Sequence, residues 1–309
     1  MAKDNRPGGD KTVEGEGNTL LAYLAAAYPK ASRNKVKSWL THRQVMVNGI
    51  VTTQFDAPLK PGDRIGIAEK GTEAFRHPMM RIVHEDDAIV VIDKRNGLLS
   101  VGTDKERTKT AFYILSEHVK RAAPRNRIFI IHRLDRETSG LMMFAKSEEV
   151  QSAMQRDWNR MVRDRRYVAV VEGRLPQPKG VVDAPLTESP VHKVYVDPAG
   201  ERAVTGYEAL AEGRDYSLVE LTLETGKKNQ IRAHLEHIKC PIAGDKKYGA
   251  QTSPAGRVCL HARVLNIIHP VTGEEMDFST AVPQLFENVV SGSVKADKRA
   301  KRYPAGKRK

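Results

Sequence analysis

The sequence predicts an α+β protein: a small helix–helix–hairpin unit followed by a larger unit with a mainly antiparallel, mixed sheet flanked by helices and loops. Three observations predict it. Helical periodicity after residue 18 gives way to an Asn-Gly hairpin at Asn48-Gly49. Beyond residue 80, runs rich in Val, Ile and aromatic residues dominate, and helices interrupt them irregularly. The regular strand–helix alternation of a parallel sheet is absent.

Residues 1–17 carry almost no large apolar side chain, which predicts a disordered N-terminal tail. Residues 18–68 form the small unit. In NTLLAYLAAAY, Leu20, Leu24 and Ala27 recur at helical spacing behind a capping Asn18 or Thr19, and Pro29 ends the helix. A second helix opens at Ser32 and buries Val36, Trp39 and Leu40. Its other face carries Arg33, Lys35 and Lys37. VMVNGIVT then reads as a hairpin, and Pro61-Gly62-Asp63 turns the chain into a strand ending near Ile67. ASRNKVKSWLTHRQVMVNG and LKPGDRI resemble the S4 domain, an RNA-binding module. The resemblance implies that Arg33, Lys35, Lys37 and Arg43 meet the sugar-phosphate backbone of structured RNA. A helix presenting this charge beside a hairpin suits recognition of shape; the charges alone would suit an ordinary solvated face.

Residues 69–79 read as a linker, 80–287 as the larger domain, and 288–309 as a basic C-terminal tail. In the larger domain, RIVHEDDAIVVIDK holds two short β-rich runs. SEEVQSAMQRDWNRM is helical with Ser147 as cap, RYVAVVEG and YSLVELTLETG are strands, and NQIRAHLEHI places Ile231, Leu235 and Ile238 on one helical face.

The basic excess, 51 Lys and Arg against 38 Asp and Glu, favours a polyanionic partner, nucleic acid before membrane surface. Two cysteines are too few for a disulfide framework. No apolar run approaches the ~18 residues of a membrane span, and the N-terminus lacks a secretory core. These features lead us to expect a cytoplasmic monomer.

One short loop carries chemistry. HRLDRETSG, residues 132–140, lies between the apolar runs FII and LMMFA, and sets Asp135 between Arg133 and Arg136. Taken alone, such a triplet is usually a structural ion pair. A loop held between two strands is also a good mount for a functional group. Neighbouring guanidinium groups would keep the carboxylate ionised, a potential nucleophile.

HRLDRETSGLMMFAK is similar to the signature of RluA-type pseudouridine synthases, and IDKRNGLLSV, RYVAVVEG, GKKNQIRAHLEHIKCPIAGDKKYG and LHARVLNIIHPVTGEEMDF resemble further family segments in the same order. The likeness spans residues 80–285, and many members carry an N-terminal S4 domain. It implies that Asp135 is the catalytic aspartate, that Tyr167 stacks on the target base, and that Arg232 pairs with the aspartate. Ile231 and Leu141 would wall the pocket, and Arg133 and Arg136 would hold phosphates or the everted nucleotide. The sequence departs from the family pattern at Lys94-Arg95-Asn96-Gly97, where Lys-Pro is usual, and at Lys227-Lys228-Asn229, where Arg-Thr-His is usual.

The implied reaction breaks the uridine N1–C1′ bond, rotates the base and rejoins it through C5. No atom is lost, so no cofactor, nucleotide or metal is expected, and no phosphate-binding glycine motif or paired-cysteine zinc motif occurs. The carboxylate would either attack C1′ or take a proton from the sugar. A base must leave its stack first, which calls for a slot with an aromatic wall. His234, His237 and Cys240 invite a metal reading but lack a clear fourth ligand, and packed or surface histidines are expected. Asp135 and Glu137 need not converge as an acid–base pair. Asp245 reads as a turn residue. The expected substrate is large-subunit ribosomal RNA; tRNA as substrate and a non-catalytic ribosome-assembly factor are the alternatives, and an RNA glycosylase is a third.

Overall fold

The computed structural model describes residues 10–15, 19–41, 44–68 and 75–294. The chain forms two compact units. The first holds the described residues up to Arg76 together with Glu85–Asp87, and the second holds His77–His84 and those from Ala88 onward.

The first unit runs β1 (Lys11–Thr12), α1 (Leu20–Ala27), α2 (Arg33–Thr41), β2 (Val45–Val47), β3 (Ile50–Val51) and β4 (Arg64–Ile67). Thr19 accepts from the Ala22 N–H to cap α1, and Ser32 accepts from the Lys35 N–H to cap α2. The two helices bury Leu20, Leu24, Val36, Trp39 and Leu40 against Val45, Leu59 and Ile65. Asn48 and Gly49 have φ of 52° and 84°, as a two-residue type I′ hairpin turn requires. The Asn48 amide then accepts from the Arg64 N–H and donates to Asp63, tying the turn to β4.

The expectation of disorder over 1–17 fails at residues 11–13. β1 pairs antiparallel with β4, so the sheet order is β1-β4-β2-β3, and Val13 is fully buried in the core. The Lys11 ammonium donates to the Ala27 carbonyl and lies over the Tyr28 ring. A two-residue strand shows no periodicity, and only the partner edge across the sheet fixes it.

The second unit contains β5 (Met80–Glu85), β6 (Ile89–Lys94), α3 (Ala111–Ala122), β7 (Phe129–Ile130), β8 (Ser139–Ala145), α4 (Glu148–Arg156), α5 (Trp158–Met161), β9 (Val162–Glu172), β10 (Lys179–Asp183), β11 (Leu186–Glu188), β12 (Val194–Val196), β13 (Val204–Glu212), β14 (Tyr216–Leu223), α6 (Gln230–His237), β15 (Leu260–Ile268), β16 (Glu275–Ser279) and α7 (Gln284–Val290). One large mixed sheet follows the order β10-β13-β14-β9-β15-β8-β6-β5, with β7 on β8 and β16 on β15. The β8–β15 pairing is parallel and short, Ser139 with His261 and Gly140 with Ala262. The β6–β8, β9–β15, β9–β14 and β13–β14 pairings are antiparallel.

Two apolar layers hold this sheet. Val168, Val170, Leu218, Ile231, Leu235 and Phe286 pack α6 and α7 on one cluster; Val91, Leu141, Met143, Val150, Met154 and Ile267 pack α4 on the other. Ser147 caps α4 through the Val150 N–H. The predicted C-terminal boundary also shifts. Val289 and Val290 are buried on α7, so the folded unit continues past 287; residues 295–309 lie outside the described residues.

Candidate active site

Asp135 stands on the loop between β7 and β8, and several contacts make that loop rigid. The Thr138 N–H donates back to the Asp135 carbonyl, closing a turn. Ser100 donates to the Leu134 carbonyl at 2.6 Å and accepts from the Leu134 N–H at 3.2 Å. Lys94, fully buried, donates to the carbonyls of Leu98, Arg95 and Arg136. Burial, with Arg257 nearby, pulls its pKa down to about 8 against the raising pull of Asp135 and Glu137. At neutral pH it therefore remains an ammonium.

The ends of the loop are fixed as well. The His132 Nε2 accepts from the Met143 N–H, so its proton resides on Nδ1 when the ring is neutral. Burial, then the Arg165 charge, lowers its pKa to about 3. Ser139 meets His261 Nδ1 at 2.8 Å and accepts from Arg257 at 2.8 Å, while Arg257 also donates to Asn96. The unusual Asn96 thus joins the segment after β6 to Arg257. Gly140, at φ 112°, lets β8 approach β15 so closely that a Cβ there would lie 2.1 Å from the Ala262 carbonyl oxygen.

A pocket of about 280 Å³ opens beside this loop. Arg133, Asp135, Thr138, Tyr167, Leu260 and the stretch from Gly226 to Arg232 line it. Asp135, Tyr167 and Arg232 lie 32 and 65 residues apart in sequence, yet share this one cavity. Arg232 Nη1 donates to Asp135 Oδ2 at 3.3 Å. Its Nε and Nη2 hold Asp245 in a two-toothed grip at 2.6 and 2.8 Å, and its guanidinium lies over the Tyr248 ring. Burial alone would lower the Arg232 pKa; the hydrogen bonds and charge of Asp245, with Asp135 behind, raise it above the usual arginine value. Burial, with a further rise from Asp135, raises the Tyr167 pKa against the lowering pull of Arg165, so Tyr167 presents a neutral phenol.

Asp245 is the residue that sequence reasoning missed. It does shape a turn, but its side chain is buried and ionically paired. A signal was present: the acid follows the apolar run Pro241-Ile242-Ala243, and a buried carboxylate demands a cation. Lys227, Lys228 and Asn229 replace the usual family triplet at the rim. Lys227 pairs with Glu201, Lys228 with Glu188, and Asn229 accepts from Arg232 at 3.1 Å.

The other expected site residues divide. Ile231 and Arg133 line the pocket. Leu141 does not: two residues into β8, it packs beneath the loop with Val91, Ile131 and Met143. Arg136 is not a lining residue either; its Nε donates to the Gly97 carbonyl and its side chain is 64% exposed. Arg33, Lys35 and Lys37 are exposed on α2, and Arg43 lies outside the described residues. His234 is a packed core residue, its ring nitrogens engaged by Thr205 and the Ala184 carbonyl.

The large mixed sheet carries a loop aspartate, a strand tyrosine and a doubly paired arginine in one slot, and the chain belongs to the RNA pseudouridylate synthase family of RNA-modifying isomerases, whose pattern matches residues 88–237. It is an RluA-type pseudouridine synthase. It is 33% identical over 301 residues to ribosomal large subunit pseudouridine synthase D of Pasteurella multocida, covering 91% of this chain and 92% of that protein. An uncharacterised RNA pseudouridine synthase of Bacillus subtilis is 33% identical over 281 residues, 86% of this chain and 92% of that one. Among solved structures, human RNA pseudouridylate synthase domain containing 4 superposes with a TM-score of 0.55 at 27% identity, covering 67% of this chain and 90% of that chain. Among the described residues, no helix is long and apolar enough to cross a membrane.

Proposed function

We propose that this pseudouridine synthase acts on uridine in large-subunit ribosomal RNA, with Asp135 as the reacting carboxylate. The observation that carries the reading is the Asp135–Arg232–Asp245 arrangement beside Tyr167. An everted uracil stacks on Tyr167, which brings the ribose C1′ toward Asp135. The carboxylate then either attacks C1′ to give a glycosyl ester or takes the sugar proton to give a glycal. In both cases the N1–C1′ bond breaks, the freed base turns, and C5 bonds to C1′ as the ester C1′–O bond breaks or, on the glycal route, as the carboxyl returns its proton to the sugar. The C5 proton leaves and N1 ends protonated, so the product has the composition of the substrate. Arg232, anchored independently by Asp245, orients Asp135. The ribosomal substrate follows from relatives named as large-subunit synthases and alike over nine-tenths of the chain. The helix–hairpin unit at residues 18–68 fits an S4-like RNA-binding domain, with Arg33, Lys35 and Lys37 facing solvent as phosphate contacts.

The test is to incubate large-subunit ribosomal RNA transcripts with the enzyme and map pseudouridine by carbodiimide-dependent reverse-transcription stops. Wild type produces new stops. Asp135→Asn produces none while still binding RNA. Stops that persist in the variant remove Asp135 from the mechanism, and stops on tRNA but not ribosomal RNA reassign the substrate.

A further inference from the structure

Arg165 has no role in the site as described so far. It precedes Tyr167 by two positions on β9, so the two side chains share one face of the strand. The intervening Arg166 faces the other way, where Asp164 and Glu220 pair with it, and Glu220 also takes Arg263. Among the described residues Arg165 has no ion pair, and the acidic group that acts on it is the Tyr167 phenol, not a carboxylate. Its guanidinium lies over the Trp158 ring at 5.2 Å and is close enough to His132 and Tyr167 to influence both. It also lies against Gly226, a pocket-lining residue; a Cβ at 226 would come within 2.9 Å of Arg165 Nη1.

A half-buried guanidinium held by an aromatic face, left without a carboxylate and given clearance by a glycine, is prepared for an anion from outside. On the opposite face of the same strand Arg166 has two carboxylates, Asp164 and Glu220, so the two adjacent arginines differ in having an acid at hand. We propose that Arg165 binds a backbone phosphate of the substrate RNA next to the target uridine, fixing the strand while the base enters the slot. This rests on the RNA-substrate reading above.

The experiment uses full-length enzyme and the ribosomal RNA fragment that wild type modifies. Arg165→Gln keeps a planar group over Trp158 and removes the charge; Arg165→Lys keeps the charge. KM, kcat and the dependence of binding on salt are measured for both, with thermal melting as a control. For Arg165→Gln the expected result is a roughly tenfold higher KM, kcat within about threefold, and a log–log salt slope reduced by ~0.7–0.9, the value for one phosphate contact. Arg165→Lys recovers the wild-type slope. An unchanged slope with intact melting overturns the proposal, as does a loss of kcat or melting temperature in both variants with wild-type slope, which is the signature of a structural arginine. If wild type itself neither modifies nor binds the fragment, the substrate reading fails instead, and that outcome is separate from any difference between variants.

Discussion

Arg232 grips two carboxylates unequally: Asp245 through two bonds of 2.6 and 2.8 Å, Asp135 through one of 3.3 Å. Removing either acid therefore has a different effect. Asp135→Asn leaves the buried guanidinium fully paired, so activity disappears while the melting temperature stays within a few degrees of wild type. Asp245→Asn strands most of that charge and is expected to destabilise the fold by about 3–5 kcal/mol, measured by urea unfolding. The same inequality suits the chemistry. On the proposed route, Arg232 keeps the Asp245 counter-charge when Asp135 is esterified or protonated. His261, buried, and His132, partly buried, set a pH dependence. The His261 pKa falls to about 4 and that of His132 to about 3, burial being the main cause in both. The unfolded chain binds protons near pH 6.5, so the stability from these neutral rings is complete above that pH and is lost as pH falls toward 4 and then 3. Urea midpoints should therefore drop between pH 7 and pH 5, and His261→Gln should flatten the dependence.

At the scale of elements, the loop from 132 to 138 is rigid because β8 starts where it does. Gly140→Ala combines a disfavoured backbone angle with a clash against Ala262. It should cost more than about 2 kcal/mol in denaturant unfolding and abolish activity through loop displacement. What the sequence disclosed at this scale was local. Thr19, Ser32 and Ser147 caps, the Asn48-Gly49 turn and the apolar face of α6 rest on neighbours within a few positions, and the structure has them. What it concealed was non-local. β1 exists only because the β4 edge receives it, and Asp245 acquires its role only when a turn folds it back onto α6. Leu141 looked like a pocket wall because it adjoins the signature; the path of β8 turns it into the core instead. That Asp135, Tyr167 and Arg232 would share one pocket was expected from the family signature, whereas Arg165, an ordinary strand residue in sequence, stands out only once its lack of a carboxylate is visible.

For the molecule as a whole, the formal charge of +13 leads us to expect strongly salt-dependent RNA binding. If α2 supplies phosphate contacts, replacing Arg33, Lys35 and Lys37 together by Gln should reduce the log–log salt slope by about 2 and weaken binding of many RNA sequences alike, as filter binding at several salt concentrations would read; an unaltered slope would return those side chains to plain solvent exposure. In the second unit, the strands on either side of the large sheet are hydrogen-bonded to one another through the short parallel contact of Ser139–Gly140 with His261–Ala262, directly after the Asp135 loop. The seam that makes the sheet continuous is thus also the footing of Asp135, the carboxylate proposed to react. Loss of activity on heating is therefore expected to coincide with loss of the sheet, as activity and far-ultraviolet circular dichroism followed over one melt would read.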